Sequence, residues 1–432
     1  MGVLNTDPKI SMDGQFGPIL PPFGNVAMTS QSGALGIAIL DYARRLNIGI
    51  STFISMGNKA DVSGNDLLLY WEDDPATDVI LLYLESFGNP RRFSRIARRI
   101  GKKKPIVAVK SGRTEAGIRA ASSHTGALAS ADIAVDALFR RAGVIRVDTL
   151  SEMFDIAALL STQPVPAGRR VAVLTNAGGP GILAVDALES LGLEVPRFSD
   201  ELQKGLRDLL SAEAAVANPV DMIASASSEH YKACLDLLMD TDEVDSVMVL
   251  HIEVAPGTSG DVATAFQEAE IKHRGKKTLL SVFMQSSGVP EQLSKGEAKI
   301  PSYLFPEPAA RALSRAVDYG DWRNRPTGEI RAFDDIDYEA ADAVLEQVCG
   351  RSNDEGGWLE PDEVERLLGA FGIPPAVSDV ATSADEAVAI AGKIGGEVVL
   401  KVLSPSALHK SDIGGVLLGV SGEDAVREGY AK

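Results

Sequence analysis

The chain has 432 residues, with 60 acidic against 42 basic side chains and a formal net charge of −18. That length exceeds a single hydrophobic core and implies about three domains, and the acidic balance argues against a general nucleic-acid binder. No apolar run approaches membrane-spanning length and no charged-then-apolar leader opens the chain. The isolated Cys234 and Cys349 make neither a disulfide framework nor a cysteine-based zinc site, so a cytoplasmic setting is expected.

Residues 1–24 lack periodicity, end in Ile19-Leu20-Pro21-Pro22-Phe23-Gly24, and read as an extended linker left from an upstream domain. From Asn25 strands and helices alternate. Strands are expected over 25–29, 50–55, 79–85 and 105–110, with a small-residue turn Ser30-Gln31-Ser32-Gly33-Ala34-Leu35-Gly36 opening a helix that runs to about Leu46. Apolar strands alternating with helices mean a parallel sheet covered on both faces. The basic run from Arg91 to Lys104 reads as the solvated face of one helix. This first domain spans 25–163 and closes at the linker Pro164-Val165-Pro166-Ala167-Gly168.

Arg169 starts the pattern again. At an offset of 145 residues Val26 falls on Val171, Gln31 on Asn176, Gly33 on Gly178, Gly36 on Gly181 and Ile50 on Val195. Later strands recur with shifted spacing, 79–85 matching 247–253 and 105–110 matching 278–283. Two copies of one doubly wound, flavodoxin-like unit are expected, the second over 169–320. Residues 321–357 read as a charged, glycine-containing connector. A further partial domain covers 358–432, with an amphipathic helix at 360–370 (Val364, Leu367 and Leu368 inward), a second helix at 383–394, and a strand at 398–402 that holds Lys401.

Five features could carry chemistry. Ala120-Ala121-Ser122-Ser123-His124-Thr125-Gly126 sets a histidine among small residues on the approach to a helix N-terminus, where free N–H groups and the helix dipole suit an anion, although the stretch taken alone reads first as a histidine that caps or packs a turn. The glycine-rich turns Ser30–Gly36 and Thr175-Asn176-Ala177-Gly178-Gly179-Pro180-Gly181 open helices in the two copies. Neither fits G-x-G-x-x-G or a P-loop. Taken alone, each turn fits plain helix capping as well as it fits an anion. Glu85 ends a central strand, where a carboxylate either orients an imidazole or is simply solvated. His409 sits beside Lys410 in the loop Ser404–Gly415. The second copy has no counterpart of His124. His230, His251 and His273 lack partner spacing and read as surface or packing residues, and no metal-site spacing occurs.

In this order, Ser30-Gln31-Ser32-Gly33, Ser123-His124-Thr125-Gly126-Ala127, Thr175–Gly181, Asn218-Pro219-Val220-Asp221 and His409-Lys410-Ser411-Asp412 closely resemble the ADP-forming (NDP-forming) acyl-CoA synthetases, relatives of succinyl-CoA synthetase. The resemblance implies an α/β chain of two tandem flavodoxin-like domains followed by the N-terminal part of an ATP-grasp domain. It further implies a ligase interconverting acyl-CoA, ADP and phosphate with carboxylic acid, ATP and CoA. It makes His124 the phosphorylated residue, Glu85 its support and His409 the carrier of the phosphoryl group to ADP. Gln31, Ser32, Gly33, Thr125, Gly126, Asn176, Ala177, Gly178 and Gly179 become the phosphate cradle, and Lys401 a nucleotide-phosphate lysine.

Implied cofactors are CoA and ATP or ADP, with Mg2+ bound alongside the nucleotide in the part of the ATP-grasp domain this sequence does not contain. Implied partners are a small carboxylic acid or its CoA thioester and a second copy of the chain in a homo-oligomer, expected to be a dimer, with neither nucleic acid nor membrane. The family's amino-terminal CoA-binding domain is absent here except for a remnant in the first residues. Turnover by this stretch alone is therefore not expected. A second reading is the CoA-sensing region of a fused protein lysine acetyltransferase. Several such fused relatives replace the reactive histidine, and the intact His124 favours the synthetase.

Overall fold

The computed structural model describes the chain except residues 1, 60, 115, 118, 120–131, 255, 256, 327, 330, 352–356, 404–410 and 412. His124, Thr125, Gly126 and His409 therefore lie outside the described residues. The chain divides into two units, Met1–Pro326 and Thr327–Lys432.

The first unit holds two parallel sheets of one topology. In the first, β3 (Phe23–Ser30), α1 (Gly33–Arg45), β4 (Ile50–Ser55), α2 (Gly64–Asp73), β5 (Val79–Leu84), α3 (Pro90–Gly101), β6 (Ile106–Lys110), α4 (Asp132–Ala142), β7 (Ile145–Val147) and α5 (Leu150–Leu160) give the parallel order β4-β3-β5-β6-β7. In the second, β8 (Val171–Thr175), α6 (Gly178–Ser190), α7 (Asp200–Leu209), β9 (Val220–Asp221), α8 (Ser228–Asp240), β10 (Ser246–Ile252), α9 (Ser259–His273), β11 (Thr278–Met284), α10 (Glu291–Lys295), β12 (Ser302–Tyr303) and α11 (Pro306–Asn324) give β9-β8-β10-β11-β12. Both follow the flavodoxin-like order, with the switch point between the first strand and its two neighbours.

The central strands are apolar on both faces because both faces are covered. Val79, Leu81, Val107 and Val109 join one core, while Ile80, Leu82, Ile106 and Ala108 join another. The first of these cores also takes in Leu40 of α1, Phe154 of α5, Leu188 of α6 and Leu313 of α11. The two sheets therefore share one apolar layer of four helices. Polar contacts lock this seam: the Tyr303 hydroxyl donates to Asp155 O (2.9 Å), Tyr319 donates to Gly101 O (2.8 Å), and Arg311 pairs with Glu152 (2.9 Å). Gly143 lies under the Trp322 ring at φ +69°, and a Cβ there would stand 2.3 Å from ring carbons, so only glycine fits.

Several expectations change. Residues 1–24 are not a free linker, since β1 (Val3–Asn5) and β2 (Met12–Asp13) extend the first sheet, β1 pairing antiparallel with β4. At three and two residues they are too short to carry a periodicity. The match of Ile50 to Val195 holds at the strand's entry, where the Val26 N–H bond to Gly49 O recurs as Val171 N–H to Glu194 O, and is lost beyond it because α7 is inserted before β9. Within the basic run, Arg99 and Lys103 pair with Glu72 on the surface. Lys102 instead donates to the carbonyls of Trp322, Arg323 and Arg325 at the end of α11, and Lys104 donates to those of Trp71 and Asp74 at the end of α2. Both ammonium groups thus satisfy orphan C-terminal carbonyls.

In the second unit, the stretch read as a connector contains α12 (Tyr338–Arg351), whose Ala341, Val344 and Val348 are buried at helical spacing. It packs against α13 (Pro361–Ala370). Val364 is exposed there, and Glu363 turns inward instead, taking Arg351 (2.7 Å) and the Glu360 N–H (2.8 Å). α14 (Ala384–Ile394), β13 (Val398–Lys401), β14 (Val416–Val420) and α15 (Glu423–Ala431) enclose a small core of Ala387, Val398, Val420 and Val426.

Two carboxyls in the first unit, one buried and one half-buried, lack a paired cation. Glu270, 3% exposed on α9, has an unpartnered Oε2, and burial raises it to about 7. Asp155, at the α5–α11 seam, is raised to about 6, first by burial and then by Glu152. Both folded values exceed the unfolded ones. Their contribution to stability is therefore most favourable at low pH and is lost as pH rises from about 4 through about 6 and about 7. Glu270→Gln and Asp155→Asn should each raise the melting midpoint at pH 8, by about 2–4 °C per kcal/mol recovered, with the gain vanishing near pH 4. Thermal scans at the two pH values check this, and an equal shift at both would contradict it.

Candidate active site

Strand β3 continues into a tight turn. Ser30 Oγ accepts from Ser32 N–H (3.2 Å) and donates to Ser32 O (2.8 Å). Ser32 then caps α1, its hydroxyl accepting from Leu35 N–H. Gly33 and Ala34 remain among the orphan donors of the first turn. Between the two serines, Gln31 reaches across the switch point. Its Oε1 accepts from the N–H of Glu85 and of Ser86 (2.9 Å to the latter), and its Nε2 donates to Ser86 O (3.0 Å). Its own N–H goes to Tyr83 O. Gln31 therefore braces the backbone that carries Glu85 at the carboxyl end of β5.

The second sheet repeats this construction. Thr175 Oγ1 accepts from Ala177 N–H (3.1 Å) and donates to Ala177 O (3.0 Å), while Asn176 exchanges both carboxamide bonds with the backbone of Ile252 (2.9 Å each). The helix behind it, α6, starts at Gly178 with Ala177 as an N-cap that offers no side-chain bond. Beside it lies the Asp221 carboxylate, 3.0 Å from where a Cβ of Gly178 would stand. The ladders fix the equivalences. Ser30 pairs with Tyr83 and Thr175 with Leu250, Leu84 pairs with Lys110 and His251 with Phe283, and Ser30 pairs with Ser55 and Thr175 with Asp221. Glu85 thus corresponds to Ile252, one residue off the match to Glu253 read from sequence, and Lys110 corresponds to Phe283.

Around half-buried Glu85 stand two lysines that sequence reasoning missed. Lys59, in the loop after β4 at φ +57°, donates to Ser86 O and to Ser86 Oγ (2.9 Å). Burial lowers its pKa to about 8, against an opposing pull from Glu85 and with a further push from Lys110. Lys110 ends β6, is 6% exposed and donates to Ser111 O (2.5 Å). Burial lowers its pKa too, Asp132 and Glu85 opposing and Arg146 adding. The one available signal was a lysine closing the otherwise apolar strand Ile106-Val107-Ala108-Val109-Lys110.

The chain between Lys110 and α4 contains His124, Thr125 and Gly126. Lys401 is exposed on β13, paired with Val416 in the ladder. Asn218 serves the fold, its carboxamide bonding Val173 N–H, Val171 O and Pro196 O. His230 closes a capping box with Ser227, His251 packs among Tyr231 and Phe283, and His273 is buried against Asp236 (2.8 Å), all as packing residues.

Gln31→Leu should strand the Glu85 and Ser86 N–H groups and cost about 1–3 kcal/mol for each buried group left unmade. Asn176→Leu, in the other copy, should cost a similar amount. Urea unfolding checks both, and wild-type midpoints in both would refute the bracing role.

Residues 23–160 match the family described as Succinyl-CoA ligase like flavodoxin domain, residues 171–277 the Ligase-CoA domain, and residues 351–432 an ATP-grasp domain. The chain is 36% identical to acetate–CoA ligase [ADP-forming] I of Archaeoglobus fulgidus over 98% of its own length and 60% of that relative. It is 37% identical to the alpha subunit of acetate–CoA ligase [ADP-forming] I of Pyrococcus furiosus, over 74% of this chain and 69% of the subunit. Among solved structures it is similar to the dinucleotide forming acetyl-coenzyme A synthetase 1 of Ca. Korarchaeum cryptofilum in complex with phosphate and ADP, with 34% identity, a TM-score of 0.70, and coverage of 74% of this chain and 70% of that one. The chain spans about three fifths of the full-length Archaeoglobus relative. None of these relatives is named as an acetyltransferase.

Proposed function

The chain belongs to the ADP-forming acyl-CoA ligases, and from that premise we propose that it works in a ligase interconverting acyl-CoA, ADP and phosphate with a carboxylic acid, ATP and CoA. The observation that carries this reading is the brace that fixes Glu85 at the switch point of the first sheet. That is the edge from which the chain runs on through His124.

Phosphate displaces CoA from the acyl group, giving an acyl phosphate and free thiol. The imidazole of His124 attacks the phosphorus, the carboxylate leaves, and a phosphohistidine remains. Glu85 accepts a hydrogen bond from the ring and holds its tautomer and orientation. The N-terminal turns of α1 and α6, with Ser32, Gly33, Ala177, Gly178 and Gly179, offer N–H groups to the phosphoryl oxygens without a full countercharge. A carried phosphoryl has to leave as readily as it arrives. His409 takes it from His124 to ADP, and Lys401 steadies the nucleotide phosphates. CoA and ADP or ATP are then the cosubstrates, and the working form is a homo-oligomer, a dimer, in the cytoplasm. Among the described residues no group of three or more His, Cys, Asp or Glu could hold a metal ion.

The test separates the histidines by half-reaction in the full-length enzyme. Acyl-CoA with inorganic phosphate should place an acid-labile phosphate on His124 without nucleotide. His409→Ala should spare that labelling and abolish labelling of His124 from ATP. His124→Ala should abolish labelling of its own site from both directions and net turnover with it. Near-contact geometry is the reason a carrier is needed. Wild-type ATP-driven labelling in His409→Ala would refute the relay. Turnover of a panel of short and aromatic acids identifies the substrate.

A further inference from the structure

The first copy gathers ammonium groups where the second has apolar and acidic side chains. Glu85 and Lys110 correspond to Ile252 and Phe283 in the second copy, whose added charges at this edge include the Asp221 carboxylate, at the position of Ser55. The same fold thus presents ammonium groups at one switch point and the carboxylates of Asp221 and Glu253 at the other. The difference is not required by the architecture, because the turn, the carboxamide brace and the ladder are the same in both.

Nor is the charge in the first copy spent internally. Lys59 gives hydrogens to Ser86 O and Oγ, and Lys110 gives one to Ser111 O, all neutral acceptors. Each ammonium carries three donors, so donors are left over on both. Neighbouring Arg146 is matched by Asp132 at 2.5 Å. What remains is two ammonium groups whose own hydrogen bonds all go to neutral oxygens, both acted on by Glu85, and Lys110, 6% exposed, also by Asp132. A buried charge in surplus is costly unless a partner arrives. Phe87 and Phe93 line a cavity with Lys59 and Ser86, and such apolar surroundings strengthen charge–charge attraction at Lys59.

We propose that Lys59 and Lys110 form a binding site for a small oxyanion, a phosphate or a carboxylate, at the carboxyl ends of β5 and β6. Glu85, whose charge acts on both lysines, sets how strongly the site draws an anion. Both lysines are binding residues for the substrate's anionic group, alongside the N–H groups of α1. The site rests on the ligase reading only for which anion fills it in turnover.

The full chain is titrated with inorganic phosphate, followed by calorimetry and phosphorus NMR line width, and then challenged with acetate. Lys59→Met and Lys110→Met should each weaken phosphate binding about tenfold or more, the value of one charge-assisted bond. Lys110→Arg should lose less, and Lys232→Met, a surface lysine paired with Glu268, should lose nothing. Displacement of phosphate by acetate would assign the site to oxyanions generally, and its absence to phosphate alone. If Lys110→Met does not fold, half-buried Lys59→Met carries the test. Undiminished phosphate binding in the folded lysine variants, or no saturable binding by the wild-type chain, overturns the proposal. The binding result is read without turnover, and a full-length enzyme without ligase activity would leave it standing.

Discussion

The structure of the first unit depends on one interaction used twice, a side-chain carboxamide pairing with the backbone of the neighbouring strand. Gln31 does this to Glu85 and Ser86, and Asn176 does it to Ile252. Each extends the ladder one rung past the point where its own strand turns into a helix. The backbone groups there would otherwise be half-buried without partners. The rung also fixes where the helix begins, because the turn residue and the N-cap follow within two positions. Orientation of the helix N-terminus and placement of the residue at the next strand's end are therefore set together.

Duplication left the brace in both copies and freed the positions around it to diverge. One copy kept Glu85, Lys110 and Lys59 at its switch point, and the other carries Ile252, Phe283 and Asp221. The shared layer of α1, α5, α6 and α11 holds the copies together as one unit. Divergence at the sheet edges costs that layer nothing, since the strand ends lie beyond the residues that fill it.

Much of this was legible in the sequence. The alternation of apolar strands with helices, the two small-residue turns and their matched glycines were enough to give the doubly wound topology twice. What escaped did so for physical reasons. β1 and β2 are two or three residues long and borrow their hydrogen bonds from β4, so no periodicity marks them. α12 was hidden by its charge, because only one face of it meets α13. The inserted α7 broke the offset, and the one-residue slip between 79–85 and 247–253 could be corrected only by the ladders. Glu85 could be read as a strand-end carboxylate, whereas Lys59 could not be placed, because a loop lysine gains its meaning only when the chain at φ +57° turns it back onto Ser86.

The lysines also bear on how such a site stays reversible. Burial holds Lys59 near a pKa of about 8 and pulls Lys110 below its ordinary value, while Glu85 pushes both back up. An anion arriving beside them acts in the same sense as Glu85, raising both toward their ordinary values and tightening its own grip. By linkage, the anion should bind more weakly as pH rises through about 8, where Lys59 loses its proton before the anion can stabilise it. A site built from fully solvated lysines would hold its charge to much higher pH and would release its anion less readily. Partial burial thus buys moderate affinity at neutral pH, which is what a group meant to be passed on requires.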